Sequence, residues 1–169
     1  YRKQVMKNAK RQKIEPAWIF GILRQESAFM KDARSHAGAL GLMQLMPRTG
    51  RMEARLIKSP LRRIRDLLNV DKNILLGSSH LSRLLNKNDG NHVLATASYN
   101  AGPNHVKKWL RTKNGQPLPA DLWVETIPFK ETRRYVSKVM TGTAIFEYKL
   151  GDTVTPLQKR MSAVQTVAW

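Results

Sequence analysis

Apolar residues recur along this 169-residue chain at intervals of three and four rather than two, and the breaks between periodic stretches carry helix punctuation. That pattern predicts an all-helical protein, and no segment alternates as a half-buried strand would. A first helix is expected from about Arg2 to Lys13. A second opens at Pro16, where proline suits the first helical turn, and runs to about Lys31. The stretch SHAGALGLMQLMP, Ser35 to Pro47, has two glycines and ends in a proline able to open the next helix, through roughly Ile57, so it reads as a shaped loop between helices. From Asp71 to Leu85, the residues Ile74, Leu75, Ser78, Leu81, Leu84 and Leu85 fall at helical spacing. The KNDGN turn then separates that helix from a shorter one over His92 to Tyr99. Another starts at Pro103, with Val106, Trp109 and Leu110 inward. TKNGQPLPA reads as a surface loop, Leu122 to Ile127 as a short turn, and Phe129 to Leu150 as a long helix. The tail after Gly151 fits either a packed closing helix or a frayed end.

Length and composition place these elements in one compact domain, residues 1–169, because a chain of this size buries enough surface for a real core. Hydrophobic residues make up 41% and charged residues 25% of the chain. No apolar run approaches the ~20 residues of a membrane span. The chain opens on Tyr1 with YRKQVMKNAKRQK, which lacks the apolar core of an export signal, so any signal or additional domain is expected upstream in a longer chain. With no cysteine, disulfides and thiolate metal sites are excluded. Thirty Lys and Arg against 12 Asp and Glu give a formal charge of +18, which predicts attraction to a polyanion. The basic residues concentrate in Arg2 to Lys13, Arg48 to Arg65 and Lys107 to Lys113. Charge alone does not choose among nucleic acid, anionic membrane and bacterial wall polymer, and solvated helix faces are the plainer reading of these stretches.

One residue breaks the helical pattern. Ile19, Ile22, Leu23, Glu26, Phe29 and Met30 share a helix face, so a carboxylate stands in the middle of an apolar stripe. Desolvation disfavours the charged form, so such a Glu is expected to keep a proton near neutral pH, as a general acid must. A pairing with Arg24, or snorkelling at the core edge, would explain the residue without chemistry. The adjacent loop tips the balance: its glycines allow close backbone approach to a ligand, Ser35 and Gln44 supply donors, and Leu42, Met43 and Met46 supply apolar walls.

These residues resemble the soluble lytic transglycosylases of bacterial cell walls. Arg24-Gln25-Glu26-Ser27-Ala28-Phe29, followed by Ser35 and by Gly38-Ala39-Leu40-Gly41-Leu42-Met43-Gln44-Leu45-Met46-Pro47, is similar to that family's ES and GLMQ signatures at their usual separation. Ala97-Ser98-Tyr99-Asn100-Ala101-Gly102-Pro103 resembles its tyrosine-bearing loop, and Val124 to Val136 its closing signature. The resemblance implies an all-α, lysozyme-like (goose-type) fold with a substrate cleft. It implies Glu26 as catalytic acid/base, Ser35 as a hydroxyl partner near the reacting group, and Gln44 at the N-acetyl region of the sugar. Met46 and Thr49 would line the groove, Tyr99 would hydrogen bond close to Glu26, Asn100 would shape its loop, and Glu125 would face the stem peptide. Tyr99 as a buried core tyrosine and Asn100 as a helix cap are the structural alternatives. Gly50, where the family more often has a small residue such as alanine, is expected to loosen one wall of the cleft.

The implied partner is the peptidoglycan glycan strand, in the periplasm or cell envelope, with no cofactor, no metal and no nucleic acid. Most glycosidases use two carboxylates, yet no second one here reads as a nucleophile. Glu53 lies among charged or loop residues, Asp32 well around the helix from Glu26, and Glu131 beside Arg133 and Arg134 as an ion-pair partner. The resembled reaction needs only one, because the sugar's own C6 hydroxyl replaces water and closes a 1,6-anhydro ring. The alternatives are a goose-type lysozyme that hydrolyses the same polymer, an inactive wall-binding domain, and a basic nucleic-acid-binding module, which leaves the ES and GLMQ signatures unexplained.

Overall fold

The structure, a computed structural model, describes residues 1–168. The chain divides into two compact units, Tyr1–Ser82 and the part from Arg83 on, and the division falls within one helix.

In the first unit, α1 (Arg2–Gln12) ends on Lys13, whose left-handed φ of 55° lets its N–H reach back to Ala9 and Lys10. It packs through Val5 and Ala9 against α2 (Pro16–Ser27), where Trp18, Ile19, Ile22 and Leu23 are fully buried. α2 stops four residues short of the expected Lys31 because Ala28 and Phe29 take φ of 48° and 67° in succession. Left-handed backbone costs a non-glycine residue about 1–2 kcal/mol. The reversal brings the Phe29 ring to within 6.5 Å of Phe20, an aromatic contact that offsets part of this strain. The apolar stripe expected to run on to Met30 is therefore cut: Met30 lies outside the helix and is 59% exposed.

α3 (Pro47–Leu56) and a 3₁₀ turn (Ile64–Leu68), which the sequence pattern does not announce, pack on each other. Leu40, Leu45, Ala54, Leu67 and Leu76 close a small core there, with Ile57, Leu61 and Leu68 at its margin. α4 (Val70–Lys87) carries Asn73, Gly77, Ser78 and Ser79 in buried positions besides its apolar stripe. Ser82 Oγ in its C-terminal half donates to the Gln12 carbonyl left open at the end of α1, at 3.0 Å.

In the second unit, α5 (His92–Ala101) starts on Asn91, whose side chain accepts from Leu94 N–H, and packs on α8 (Lys130–Leu150) and α6 (Pro103–Trp109). α7 (Ala120–Thr126), expected only as a turn, buries Trp123 and Val124. The tail packs without forming the closing helix of one alternative. α9 (Leu157–Arg160) is a single turn, and its buried Arg160 is hydrogen bonded to Glu147 of α8. Val164, fully buried, exchanges two backbone hydrogen bonds with Leu118 at 2.9 and 2.8 Å. β2 (Val167–Ala168) pairs in parallel with β1 (Arg111–Thr112). Two-residue strands have no period for a sequence to display; Trp169 lies outside the described residues. Among the described residues no helix is long and apolar enough to cross a membrane.

Candidate functional site

Glu26 lies in the last turn of α2, half-buried, directly before the left-handed Ala28–Phe29 reversal. Its stripe partners Ile19, Ile22 and Leu23 are core, while Phe29 is half-buried and Met30 exposed. The carboxylate therefore stands at the rim of the apolar face and not within it.

The loop that follows is built from the backbone outward. Leu40 and Leu45 exchange N–H···O bonds at 3.0 Å, and Gly41 N–H donates to Ala33 O at 2.8 Å, closing a tight knot. Gly41 has a φ of 77°, and a Cβ there would stand 2.5 Å from both the Asn73 Nδ2 and the Leu67 carbonyl, so only glycine fits. Gln44, at φ 43°, donates its side-chain amide to Ala33 O (3.1 Å) and Gly41 O (2.8 Å). Since both carbonyls need the NH₂ end, its amide oxygen faces away and is available as an acceptor, the polarity an acetamido N–H requires. Ser35 Oγ accepts from Ala39 N–H at 3.0 Å, leaving its proton to donate outward. Ser35, Gln44 and the 42%-exposed Met46 thus share this one loop, with Thr49 half-buried on α3 just beyond. Leu42 and Met43, expected as walls, have no exposed surface and belong to the core.

Residues from α4 that carry no motif hold this loop. Asn73, 1% exposed, accepts from Met43 N–H at 2.7 Å and donates to Leu40 O and Leu67 O at 2.9 and 2.7 Å. Met43 lies against Gly77, where a Cβ would stand 2.3 Å from its sulfur and 2.8 Å from its Cβ. Gly77→Ala should then cost about 1–3 kcal/mol by overpacking, despite alanine's better helix propensity. Equilibrium denaturation checks this, and a stability equal to or above the parent's would sink it. A glycine inside a strongly periodic helix, at a propensity cost of about 1 kcal/mol, is the sequence signal that could have exposed this contact.

Two further expectations are corrected. A Cβ on Gly50 would stand 2.8 Å from Leu67 Cδ2, so the space alanine would fill is already occupied by leucine, and the wall is not loosened. Glu53 is fully buried on α3, with His80 Nδ1 2.9 Å from Oε1 and Ser79 Oγ donating to Oε2 at 3.2 Å. It joins α3 to α4 and does not sit among surface charges.

In the second unit, Tyr99 and Asn100 occupy the last turn of α5, both half-buried. Asn100 does not cap the helix, which ends on Gly102 at φ 89°. It accepts from the buried Thr132 Oγ1 at 2.6 Å and donates to Glu131 Oε1 at 3.4 Å, fixing α5 to the start of α8. Glu131 therefore takes an amide donor in place of the expected arginine. Glu125 is exposed, with Arg133 3.9 Å from its carboxylate and donating to its backbone carbonyl at 3.2 Å. Both line a surface cavity of about 400 Å³ with Lys130, Arg134, Ser137 and Lys138. No group of three or more His, Asp or Glu among the described residues could hold a metal.

Residues 3–118 match the family described as transglycosylase SLT domain, and residues 126–154 match the soluble lytic transglycosylase helical domain. The chain belongs to the transglycosylase SLT domain family. It is 37% identical over 143 residues to the soluble lytic murein transglycosylase of Escherichia coli, covering 84% of this chain and 22% of that protein. It is 32% identical over 122 residues to the membrane-bound lytic murein transglycosylase D of the same species, covering 72% and 26%. Among solved structures, an inactive mutant of the lytic transglycosylase Slt from Pseudomonas aeruginosa superposes with a TM-score of 0.88 at 45% identity, over 93% of this chain and 25% of that one. The 70-kDa soluble lytic transglycosylase of E. coli gives 0.86 at 33% identity, over 96% and 26%. The lysozyme-like helical fold expected from the sequence is thus the fold found, and the chain spans about a fifth to a quarter of the length of these relatives.

Proposed function

We propose that this chain is the catalytic domain of a lytic transglycosylase that cleaves the β-1,4 bond between N-acetylmuramic acid and N-acetylglucosamine in peptidoglycan. The observation that carries the reading is the match to the SLT domain over residues 3–118, with Glu26 and the Gln44 loop inside it. Glu26 donates its proton to the glycosidic oxygen as the C1–O bond breaks, freeing the N-acetylglucosamine O4 hydroxyl. The sugar's N-acetyl oxygen stabilises the cationic C1, and the acceptor on Gln44 orients that acetamido group. The Glu26 carboxylate then takes the proton from the C6 hydroxyl as O6 bonds to C1. One carboxylate suffices because a hydroxyl tethered to the reacting carbon has a very high effective concentration. Ser35, Met46, Thr49, Tyr99, Asn100 and Glu125 are assigned to substrate binding and to shaping the groove. The relatives' names speak of soluble and membrane-bound murein enzymes, and the same substrate here puts the site of action in the periplasm or envelope, within a longer protein.

Mass spectrometry of fragments released from purified peptidoglycan tests the reaction. Muropeptides one water lighter than hydrolytic products, ending in 1,6-anhydro rings, are expected. Reducing-end products would assign the chain to the goose-type lysozyme chemistry instead.

A further inference from the structure

The segment from Arg48 through Arg65 holds seven basic residues, both ends included, and the motifs of the proposed reaction use none of them. On α3, Arg48, Arg51 and Arg55 follow at i, i+3 and i+7, which lines them along one flank of the helix over ~10 Å. Met52 and Leu56, 38% and 59% exposed, form the neighbouring stripe. The carboxylate on this helix, Glu53, is buried on its opposite side against Ser79 and His80. The next acid along the chain, Asp66, accepts the Arg63 N–H at 2.9 Å and lies 3.6 Å from the Arg63 guanidinium. The side chains of Arg48, Arg51, Arg55 and Lys58 have no ion-pair or hydrogen-bond partner among the described residues.

The surface beneath these cations is concave. One cavity of about 470 Å³ has Arg51, Arg55 and Lys58 over a floor of Ala54, Pro60 and Leu61. A second, of about 570 Å³, has Arg48, Arg51 and Arg55 with Thr49, Met52 and Leu56. They share Arg51 and Arg55, so this guanidinium pair forms the ridge between two adjoining hollows, each with apolar residues in its lining. Thr49, assigned to the substrate groove, is part of the second hollow's lining. Planar guanidinium forks suit carboxylates bidentately. Two hollows on either side of a guanidinium pair suit a chain with spaced branches better than a lipid surface, which would need a continuous outward face.

We infer that the paired hollows on α3 form an anion-binding subsite, in which Arg51 and Arg55, flanked by Arg48 and Lys58, grip carboxylates on the acidic side branches of the peptidoglycan strand. It rests on the reading of the chain as a peptidoglycan-cleaving enzyme and makes Arg51 and Arg55 determinants of strand preference, not catalytic residues.

The test uses the full chain, its R51Q/R55Q variant, and strands freed of attached phosphodiester polymers. Half of the strands have their carboxylates converted to primary amides. R51Q/R55Q should raise KM on native strands by roughly tenfold, as expected for losing two exposed charge-assisted contacts, with kcat within about twofold. It should also flatten the rise of KM with salt. On amidated strands parent and variant should converge. Equal KM values on native strands would overturn the subsite, and so would a defect that persists on amidated strands, which would mean the arginines grip something else. If the parent cleaves neither strand, the catalytic reading fails. Co-sedimentation with insoluble native and amidated peptidoglycan then decides the subsite by the same criterion of convergence.

Discussion

Glu26→Gln is expected to lower strand cleavage by at least about 10³-fold while leaving the protein folded. Glutamine keeps the size of the side chain and one of its acceptors but can neither give a proton to the glycosidic oxygen nor take one from the C6 hydroxyl. General acid–base catalysis contributes about 10²–10⁴-fold for one role, and here a single group fills both. Glu26 is half-buried at a helix end, so the exchange should change stability by no more than about 1 kcal/mol, seen as an unshifted unfolding midpoint. A readout specific to the acid role comes from a substrate whose leaving group needs no protonation, such as a nitrophenyl glycoside of the muramyl unit. The variant should retain much more of the parent rate on it than on native strands. A folded variant within tenfold of the parent on native strands would remove Glu26 from the chemistry.

Most of the helical frame was legible because its punctuation is local. Pro16, Pro47 and Pro103 each open a helix where proline's missing N–H costs nothing, and the interior of α8 keeps its period for 21 residues. What escaped depends on contacts distant in sequence. The stop at Ser27 comes from two non-glycine residues in left-handed backbone, the second of them supported by the ring of Phe20 nine positions earlier. The strand pair joins residues 111–112 to 167–168, segments too short to carry a pattern. At the candidate site, Ser35 and Gln44 were recognisable from their signature, but which of the loop's apolar residues are wall and which are core was not. Leu42, Met43 and Met46 look alike in sequence, and only the approach of Gly77 to Met43 and the exposure of Met46 separate them. Glu53 misled for the same reason: its charged neighbours Arg51 and Arg55 lie on the far side of the helix from it, and its partners lie 26 and 27 residues on.

The same dependence on distant contacts makes Asn73 the residue whose loss should do most to the loop without touching a substrate. Its side chain holds three backbone groups from two segments, Met43 N–H, Leu40 O and Leu67 O, all in a buried setting. Asn73→Ala leaves Met43 N–H without this acceptor and deprives two carbonyls of a donor, although Leu40 O keeps the Leu45 N–H. Each buried polar group left unmatched costs about 1–3 kcal/mol, so a total loss of about 3–5 kcal/mol is expected, a large share of the 5–15 kcal/mol that a domain of this kind has. Asn73→Asp should be no better, because it keeps the acceptor for Met43 while turning a second oxygen toward two carbonyls. Denaturant unfolding should show the midpoint falling for both. Amide exchange should accelerate first at Leu40, Gly41 and Leu45, whose bonds close the knot under Gln44. In protein still folded at low temperature, KM should rise more than kcat falls, since the slackened loop carries Gln44 and Ser35 and not Glu26. A loss below 1 kcal/mol, or exchange unchanged at those three amides, would show that the loop holds its shape without α4.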